Sequence, residues 1–241
     1  MSAKGPFFGE LYYRSTLPFL DPKTTEHEIA YLERTFGEGR GVLLDLGCGH
    51  GRHAGPLAAR TTRRVVGVDF DELSLRDADG FGRVRGDLLA LPFGDGRVGD
   101  AYAWYSTLFA LAESDQPLAL REAHRVLRPG GRLVIQTLPV ERLTEQPEAR
   151  FDGALPDGSV LHEQSRFDPE TGTDHGERRL TFPDGRVLSA AYAIHYYRLD
   201  DLVELFESTG FRVRWVHGGL DGAPLSAQSR DLILGAEKRH G

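Results

Sequence analysis

A glycine-rich turn at residues 47–51, Gly-Cys-Gly-His-Gly, constrains the fold of this chain more than any other feature of its sequence. Residues 41–46 before the turn are apolar or glycine except for Asp45, which predicts a short strand buried in a parallel sheet. Residues 52–59 after the turn predict a helix. Glycines let the backbone approach a ligand closely, and a helix N-terminus offers free N–H groups to a polar or anionic group. The turn therefore predicts a cofactor site at the end of the first strand.

Further strands and helices alternate along the first 140 residues, which is typical of βαβ units. The second predicted strand, residues 64–68, is followed by Asp69, which lies 18 residues beyond Gly51. Because the carboxyl ends of neighbouring parallel strands meet at one edge of a sheet, this carboxylate should reach the same crevice and accept hydrogen bonds from a ribose. The chain is therefore predicted to have a doubly wound α/β fold.

The spacing of the glycines distinguishes between two kinds of nucleotide-binding site. A dinucleotide-binding enzyme carries Gly-x-Gly-x-x-Gly at this turn, whereas this chain has Asp45-x-Gly47-x-Gly49-x-Gly51. The segment VLLDLGCGHGRHAGPLA, residues 42–58, resembles motif I of the class I S-adenosylmethionine-dependent methyltransferases. Residues 84–93 resemble the adenine segment of that family, and EAHRVLRPGGRLVI, residues 122–135, resembles a further signature of it. The resemblance covers residues 25–138 and 199–237.

The resemblance implies a seven-stranded Rossmann-like sheet, mostly parallel with an antiparallel last strand, and S-adenosylmethionine as the cofactor with S-adenosylhomocysteine as its product. It implies that Asp45 approaches the cofactor ammonium directly or through water, that Asp69 binds the ribose, and that Asp87 and the backbone of Leu88 bind the adenine. The cofactor contacts expected in this way are Tyr13, Asp45, Gly47, Gly49, Gly51, Asp69, Phe70, Asp87, Leu88 and Trp104.

Residues 139–198 lie outside the matching segments and should determine the substrate. Runs at residues 159–167, 178–182 and 187–197 predict an antiparallel sheet of about three strands. In the small-molecule branch of the family, which this part of the chain resembles, such a sheet covers the cofactor crevice as a lid. A contact between two copies of the chain is the alternative role. The predicted domains are therefore residues 1–138, the lid at 139–198, and a closing helix and hairpin at 199–241.

The N-terminal segment is predicted to form a flap and a helix. Thr25 and Glu28 have the spacing of a capping box, and Gly37 would end the helix. In the flap, Tyr12, Tyr13 and Arg14 either close over the cofactor carboxylate or simply pack.

Candidate catalytic residues are expected at the ends of the fourth strand and of the lid. His195 is the first choice for a general base because its ordinary pKa lies near neutrality, with an orienting or packing role as the alternative, and Tyr105 is the second. The expected substrate contacts are Tyr12, Tyr105, His195 and Tyr197. No metal is expected, since His50 and His53 have no obvious third ligand.

Charge and composition exclude several kinds of partner. A net charge of −7 without a run of basic residues is unfavourable for nucleic-acid binding. The Asn-Pro-Pro-Tyr pattern of base amino-methyltransferases is missing at the end of the fourth strand. No apolar run is long enough to span a membrane, and cytoplasmic location is expected. A small molecule, in the setting of bacterial natural-product biosynthesis, is therefore the predicted substrate, and a homodimer is considered as the state of assembly. A protein that binds the cofactor without transferring its methyl group and an NAD-dependent oxidoreductase are the alternatives.

Overall fold

Residues 7–37 and 39–239 are described by the structure, a computed structural model of the chain. The strands are β1 (Val42–Leu46), β2 (Val65–Asp69), β3 (Gly82–Arg85), β4 (Val98–Ala103), β5 (Arg132–Thr137), β6 (Glu148–Ala154), β7 (Val160–Asp168), β8 (Thr173–Thr181), β9 (Val187–His195), β10 (Phe211–His217) and β11 (Leu232–Lys238). The α-helices are α1 (Tyr12–Thr16), α2 (Pro22–Phe36), α3 (Ala54–Arg60), α4 (Glu72–Asp77), α5 (Gln116–Val126), α6 (Val140–Glu145) and α7 (Leu199–Ser208).

Seven strands form the large sheet, in the order β10-β11-β5-β4-β1-β2-β3. Strands β1 to β5 are parallel, whereas β11 is antiparallel to both β5 and β10. The predicted fold class is thereby confirmed. The strand order reverses between β1 and β4, and ligands bind at such a switch point in open α/β sheets. Asp45 on β1 lies there, in register with Gly67 on β2 and Tyr102 on β4.

The apolar run of β1 is explained by helices on both faces of the sheet. Leu44 and Leu46 belong to the core formed with α5 and α7, and Leu43 belongs to the core formed with α2 and α3. A strand covered on both sides needs apolar residues at successive positions, not at alternate ones. This arrangement fixes the strands whose ends carry the site.

Helix α2 begins three residues before the predicted capping box. The carboxylate of Asp21 accepts hydrogen bonds from the backbone N–H groups of Lys23 and Thr24, and Pro22 occupies the first helical position. The prediction of a Thr25–Glu28 capping box was therefore wrong, although the helix does end at Gly37. Glu28 therefore has no capping role, and its side chain lies in the protein interior.

The lid consists of four antiparallel strands in the order β6-β7-β8-β9, and not of about three. Strand β6 was missed because it is an edge strand that is largely exposed and carries charged and small residues, so it lacks the alternation that identifies a strand. One face of the lid packs on the flap, where Phe7 and Leu11 join a core with Leu161 and Leu180. The boundaries at residues 139 and 198 stay predictions.

Candidate active site

Two neighbouring cavities, of about 280 and about 100 Å³, lie beyond the carboxyl ends of β1, β2 and β4. The large cavity extends under the lid, and the small cavity extends toward the flap and α3. Both are lined by the same six residues, Tyr12, Gly47, Gly49, Ser74, Tyr105 and Thr107. These shared residues mark the junction between the two cavities.

The three glycines of the turn have different roles. A Cβ atom on Gly47 would lie 2.3 Å from the methyl group of Thr107, and one on Gly51 would lie 2.1 Å from the ring of Phe81. Both glycines also have a left-handed backbone, with φ of 73° and 84°. Gly51 lines neither cavity and packs against Phe81, and its contact with a cofactor stays a prediction. A Cβ on Gly49 would meet nothing within 4 Å, so there is open space beside this glycine at the junction.

The acids at the end of β2 and after β3 line the large cavity. The carboxylate of Asp69 accepts hydrogen bonds from the N–H of Gly49, at 2.8 Å, and from that of Asp71, at 2.9 Å. Burial raises the pKa of Asp69 despite these two hydrogen bonds. Asp87 accepts a hydrogen bond from the N–H of Leu89 at 3.1 Å and lies beside Leu88 in the wall. Phe70 completes this end of the cavity.

Asp45 is the buried acid of the small cavity. Only 3% of its surface is exposed, and the hydroxyl of Tyr102 donates a hydrogen bond to it at 2.9 Å. Burial raises the pKa of Asp45 to about 7, with a further contribution from the charge of Asp69 and against the effect of the Tyr102 hydrogen bond. Tyr13 and Trp104 line the same cavity, and the Tyr13 hydroxyl donates a hydrogen bond to Asp77.

A cluster of four side chains, Glu28, Arg52, His53 and Tyr105, joins α2 to the junction of the cavities. Glu28 accepts hydrogen bonds from Arg52 Nη2 at 2.5 Å and from the Tyr105 hydroxyl at 2.8 Å, and His53 Nε2 lies 3.0 Å from it. Although burial acts to raise the pKa of Glu28, the His53 hydrogen bond and the charge of Arg52 lower it below its ordinary value. The Arg52 guanidinium lies 4.7 Å from the ring centroid of Tyr105.

Tyr105 also has an unusual backbone conformation. Tyr105 and Ser106 have φ of 53° and 54°, which is the left-handed region that residues other than glycine rarely adopt. Burial and the charge of Glu28 raise the pKa of Tyr105 to about 12. Its hydroxyl is therefore a donor at neutral pH. Sequence reasoning missed Glu28, because no local pattern connects it to a residue 77 positions further along the chain.

The flap and the lid both line the large cavity and contact each other. Arg178 on β8 donates hydrogen bonds to the hydroxyls of Ser15 and Thr16, at 2.9 and 2.8 Å, and forms an ion pair with Glu163 at 2.6 Å. The ring centroid of Phe7 lies 4.4 Å from that of Tyr192. The contacts between flap and lid were not predicted, since they join segments more than 150 residues apart.

His195 and Tyr197 lie apart from the other predicted site residues. Neither lines either cavity, whereas Ile194 and Tyr196 line the large one. Successive side chains alternate between the faces of a strand, so the position of Ile194 at the end of β9 directs His195 to the other face. His195 Nδ1 lies 3.3 Å from the Thr173 hydroxyl, and the Tyr197 hydroxyl donates to Gln116 at 2.7 Å. Burial lowers the pKa of His195.

The structure brings most of the predicted site residues to the two cavities. Those that line one or both are Tyr12, Tyr13, Asp45, Gly47, Gly49, Asp69, Phe70, Asp87, Leu88, Trp104 and Tyr105. Within residues 7–37 and 39–239, no helix is long and apolar enough to cross a membrane. The same residues contain no group of three or more His, Cys, Asp or Glu side chains that could hold a metal ion.

The strand order, the glycine turn and the acids near the carboxyl ends of β1, β2 and β3 are the features that the resemblance to the class I methyltransferases implied. Residues 44–135 match the family model described as a methyltransferase domain. This segment is therefore similar to a methyltransferase domain, as its motifs predicted.

Individual relatives agree with this assignment. Malonyl-[acyl-carrier protein] O-methyltransferase of Methylococcus capsulatus is 38% identical over 116 residues, which are 43% of this chain and 39% of the relative. The chain thus matches less than half of that protein. The CcbJ methyltransferase of Streptomyces caelestis has a similar structure, with a TM-score of 0.75 and 24% identity over 90% of each chain. CalS10, an amino pentose methyltransferase of Micromonospora echinaspora, gives a TM-score of 0.70 and 18% identity over 95% of this chain and 97% of the other.

Proposed function

We propose that this protein transfers the methyl group of S-adenosylmethionine to a nucleophilic oxygen, nitrogen or carbon atom of a small molecule. The observation that carries the proposal is the pair of cavities that meet at the glycine turn. Asp69, Asp87 and Leu88 suit an adenosine in the large cavity, and Asp45 and Trp104 suit a methionine moiety in the small one. The open side of Gly49 at the junction leaves room for a ligand that extends through both.

The bound cofactor would supply an electrophilic methyl group on a sulfonium. Around the junction, the residues of the chain enclose the space and orient what enters it, and exclusion of water and alignment of reactants are large contributions to such a transfer. Tyr12 of the flap and Tyr105, two residues after β4, are the aromatic residues that line both cavities. Since the Tyr105 hydroxyl is committed to Glu28, we assign Tyr105 an orienting role and not that of a base.

The predicted role of His195 as a base stays a prediction that requires its ring to turn into the cavity. Its lowered pKa leaves it neutral at pH 7, which suits a base, but its position in this structure favours the orienting alternative. An amine that arrives deprotonated would need no base. The first test is therefore to replace His195 by Gln and measure kcat for methyl transfer, with unchanged kcat expected.

A small-molecule substrate is supported by the lid that covers the large cavity and by the net charge of −7, which disfavours nucleic acid. The CalS10 relative acts on an amino pentose in calicheamicin biosynthesis, and its fold covers nearly the whole of this chain. We extend this to natural-product biosynthesis as the setting. Cytoplasmic location and a homodimer stay predictions.

The cofactor assignment can be tested by titration calorimetry with S-adenosylmethionine, S-adenosylhomocysteine and NAD. We expect micromolar-range binding of the first two, with Asp69→Ala losing it and Glu204→Ala, at an exposed position on α7, retaining it. Tight binding of NAD without a response to the sulfur compounds would overturn the proposal. A screen of small-molecule acceptors then tests the remaining alternative, a protein that binds the cofactor without transferring its methyl group. A product heavier by one methyl group supports transfer, whereas conversion without consumption of the cofactor would mean that the methyl group is not transferred.

A further inference from the structure

The large cavity has one acid that neither the cofactor nor the local backbone requires. Among the described residues that line it, the acids are Asp69, Asp71, Asp87 and Asp174. Asp69 and Asp87 lie at the proposed adenosine end, and Asp71 caps α4 by accepting hydrogen bonds from Leu73 and Ser74. Asp174 lies on the lid, at the opposite wall.

Among the described residues, no ion pair joins Asp174 to an arginine or lysine of the lid. The arginine that lines the same cavity, Arg178, is already paired with Glu163 at 2.6 Å and bound to two flap hydroxyls. Burial raises the pKa of Asp174, and the opposing effects come from a hydrogen bond with Ser165 and from the charge of His175. Since Glu163 balances Arg178, the half-buried carboxyl group of Asp174 is the acidic group of this wall that has no ion-pair partner among the described residues.

Two tyrosines, Tyr192 and Tyr196, line the same cavity as this carboxylate. The antiparallel register places Asp174 opposite Ile194 and Gly176 opposite Tyr192, so Tyr192 is a diagonal neighbour of Asp174 on the same face. Tyr196 follows Ile194 by two residues, and both tyrosines line the cavity. Burial raises the pKa of both tyrosines, and the charge of Asp174 contributes to the rise. A Cβ on Gly176 would lie 2.1 Å from the Tyr192 ring, so the glycine is what lets this ring lie against the strand.

We propose that the methyl acceptor carries a cationic amino group, which is bound by Asp174 between the rings of Tyr192 and Tyr196. A partly desolvated carboxylate gains most from a cation that is also a hydrogen-bond donor, and the faces of tyrosine rings attract cations as well. A hydroxyl would satisfy the hydrogen bond but not the charge, and a carboxylate would be repelled. This inference rests on the proposed function, because it concerns the acceptor side of the same site.

The test uses matched probes on protein saturated with S-adenosylhomocysteine. One set is tyramine, tyrosol and 4-hydroxyphenylacetate, and the second is cyclohexylamine, cyclohexanol and cyclohexanecarboxylate; within each set mainly the terminal group changes from ammonium to hydroxyl to carboxylate. Dissociation constants are measured by ligand-detected NMR titration. We expect the ammonium probe of at least one set to bind about tenfold more tightly than its hydroxyl partner, with the carboxylate weakest.

Two variants separate the subsite from a general charge effect. Asp174→Asn should bring the ammonium probe to the affinity of the hydroxyl probe. Glu177→Gln removes the same charge from the exposed face of β8 and should leave the affinities unchanged. Thermal unfolding midpoints of both variants verify the fold.

Equal binding within both sets, preference for a carboxylate, or failure of both amines to bind at about 10 mM would overturn the inference. Unchanged amine binding by Asp174→Asn would do so too. Failure of the proposed function would be recognised separately, because binding of S-adenosylhomocysteine is measured on its own. If S-adenosylhomocysteine does not bind, the affinities of the probes are ranked on the protein without it.

Discussion

Cofactor binding at pH 6 is expected to release a proton from Asp45. Burial raises the pKa of this carboxyl to about 7 in the protein alone, so that it is mostly protonated at pH 6. An ammonium group placed beside it favours the ionised form and lowers the pKa. The ammonium of the cofactor is itself fully charged at pH 6, because α-amino groups titrate near pH ~8. A proton that leaves on binding at this pH should therefore come from the protein.

The size of the effect follows from the pKa. With a pKa of about 7, roughly nine-tenths of the Asp45 carboxyls carry a proton at pH 6, and about 0.9 proton should be released. If Asp45 stays ionised in the complex, the dissociation constant should be about 25-fold larger at pH 5.5 than at pH 7.5. Asp69, whose pKa is also raised by burial, can add to this release.

Calorimetric titration with S-adenosylhomocysteine at pH 6, in buffers of different ionisation enthalpy, measures the number of protons directly. Asp45→Asn is the control that isolates the contribution of this residue from that of Asp69. In Tyr102→Phe the carboxyl loses its hydrogen bond, so its pKa should rise further and release should extend above pH 7.

The reasoning would be refuted by wild-type protein that binds normally at pH 6 but releases fewer than about 0.2 proton. It would equally be refuted by an Asn variant that releases as many protons as the wild type.

Three further predictions concern stability and the glycine turn. The pKa of Asp45 is raised to about 7, so the contribution of this residue to stability is fully present below pH ~4 and is lost as the pH rises through 7. Asp45→Asn should therefore raise the free energy of unfolding at pH 8 by up to about 4 kcal/mol and leave it unchanged at pH 3. Unfolding in urea measures this difference. Glu28→Gln removes the ion-pair partner of the largely buried Arg52 and should lower the free energy of unfolding by about 3 kcal/mol. Glu26→Gln breaks an exposed ion pair on the same helix and should have no measurable effect. Equal effects of the two substitutions would contradict the buried cluster. Gly47→Ala combines a φ of 73° with a collision at 2.3 Å and should weaken S-adenosylhomocysteine binding in calorimetry more than about tenfold, while Gly185→Ala, strained but without a neighbour within 4 Å, should bind normally.

The cofactor half of the site was predictable because its information is local. Asp45, Asp69 and Asp87 each lie at or near the carboxyl end of a strand, and parallel strands bring these ends to one edge whatever the rest of the chain does. Asp45 and Asp69 were placed in this way, and both line the cavities. Gly51 was expected to contact the cofactor, but a glycine required by packing has the same sequence signal as one required by a ligand.

The substrate half depended on contacts that no local pattern encodes. Arg178 meets Ser15 across 163 residues, and Glu28 meets Tyr105 across 77. Strand β6 could not be recognised because an exposed edge strand has no buried face to impose alternation.

The sequence by itself thus determined the sheet, the turn and the class of cofactor, because strand burial and glycine spacing act over a few residues. Only the tertiary structure decided which side chains face the acceptor. A shift of one residue in a strand exchanges its two faces, so the register of β8 and β9, and not the residue types, places Asp174 and Ile194 in the cavity wall and leaves His195 outside it.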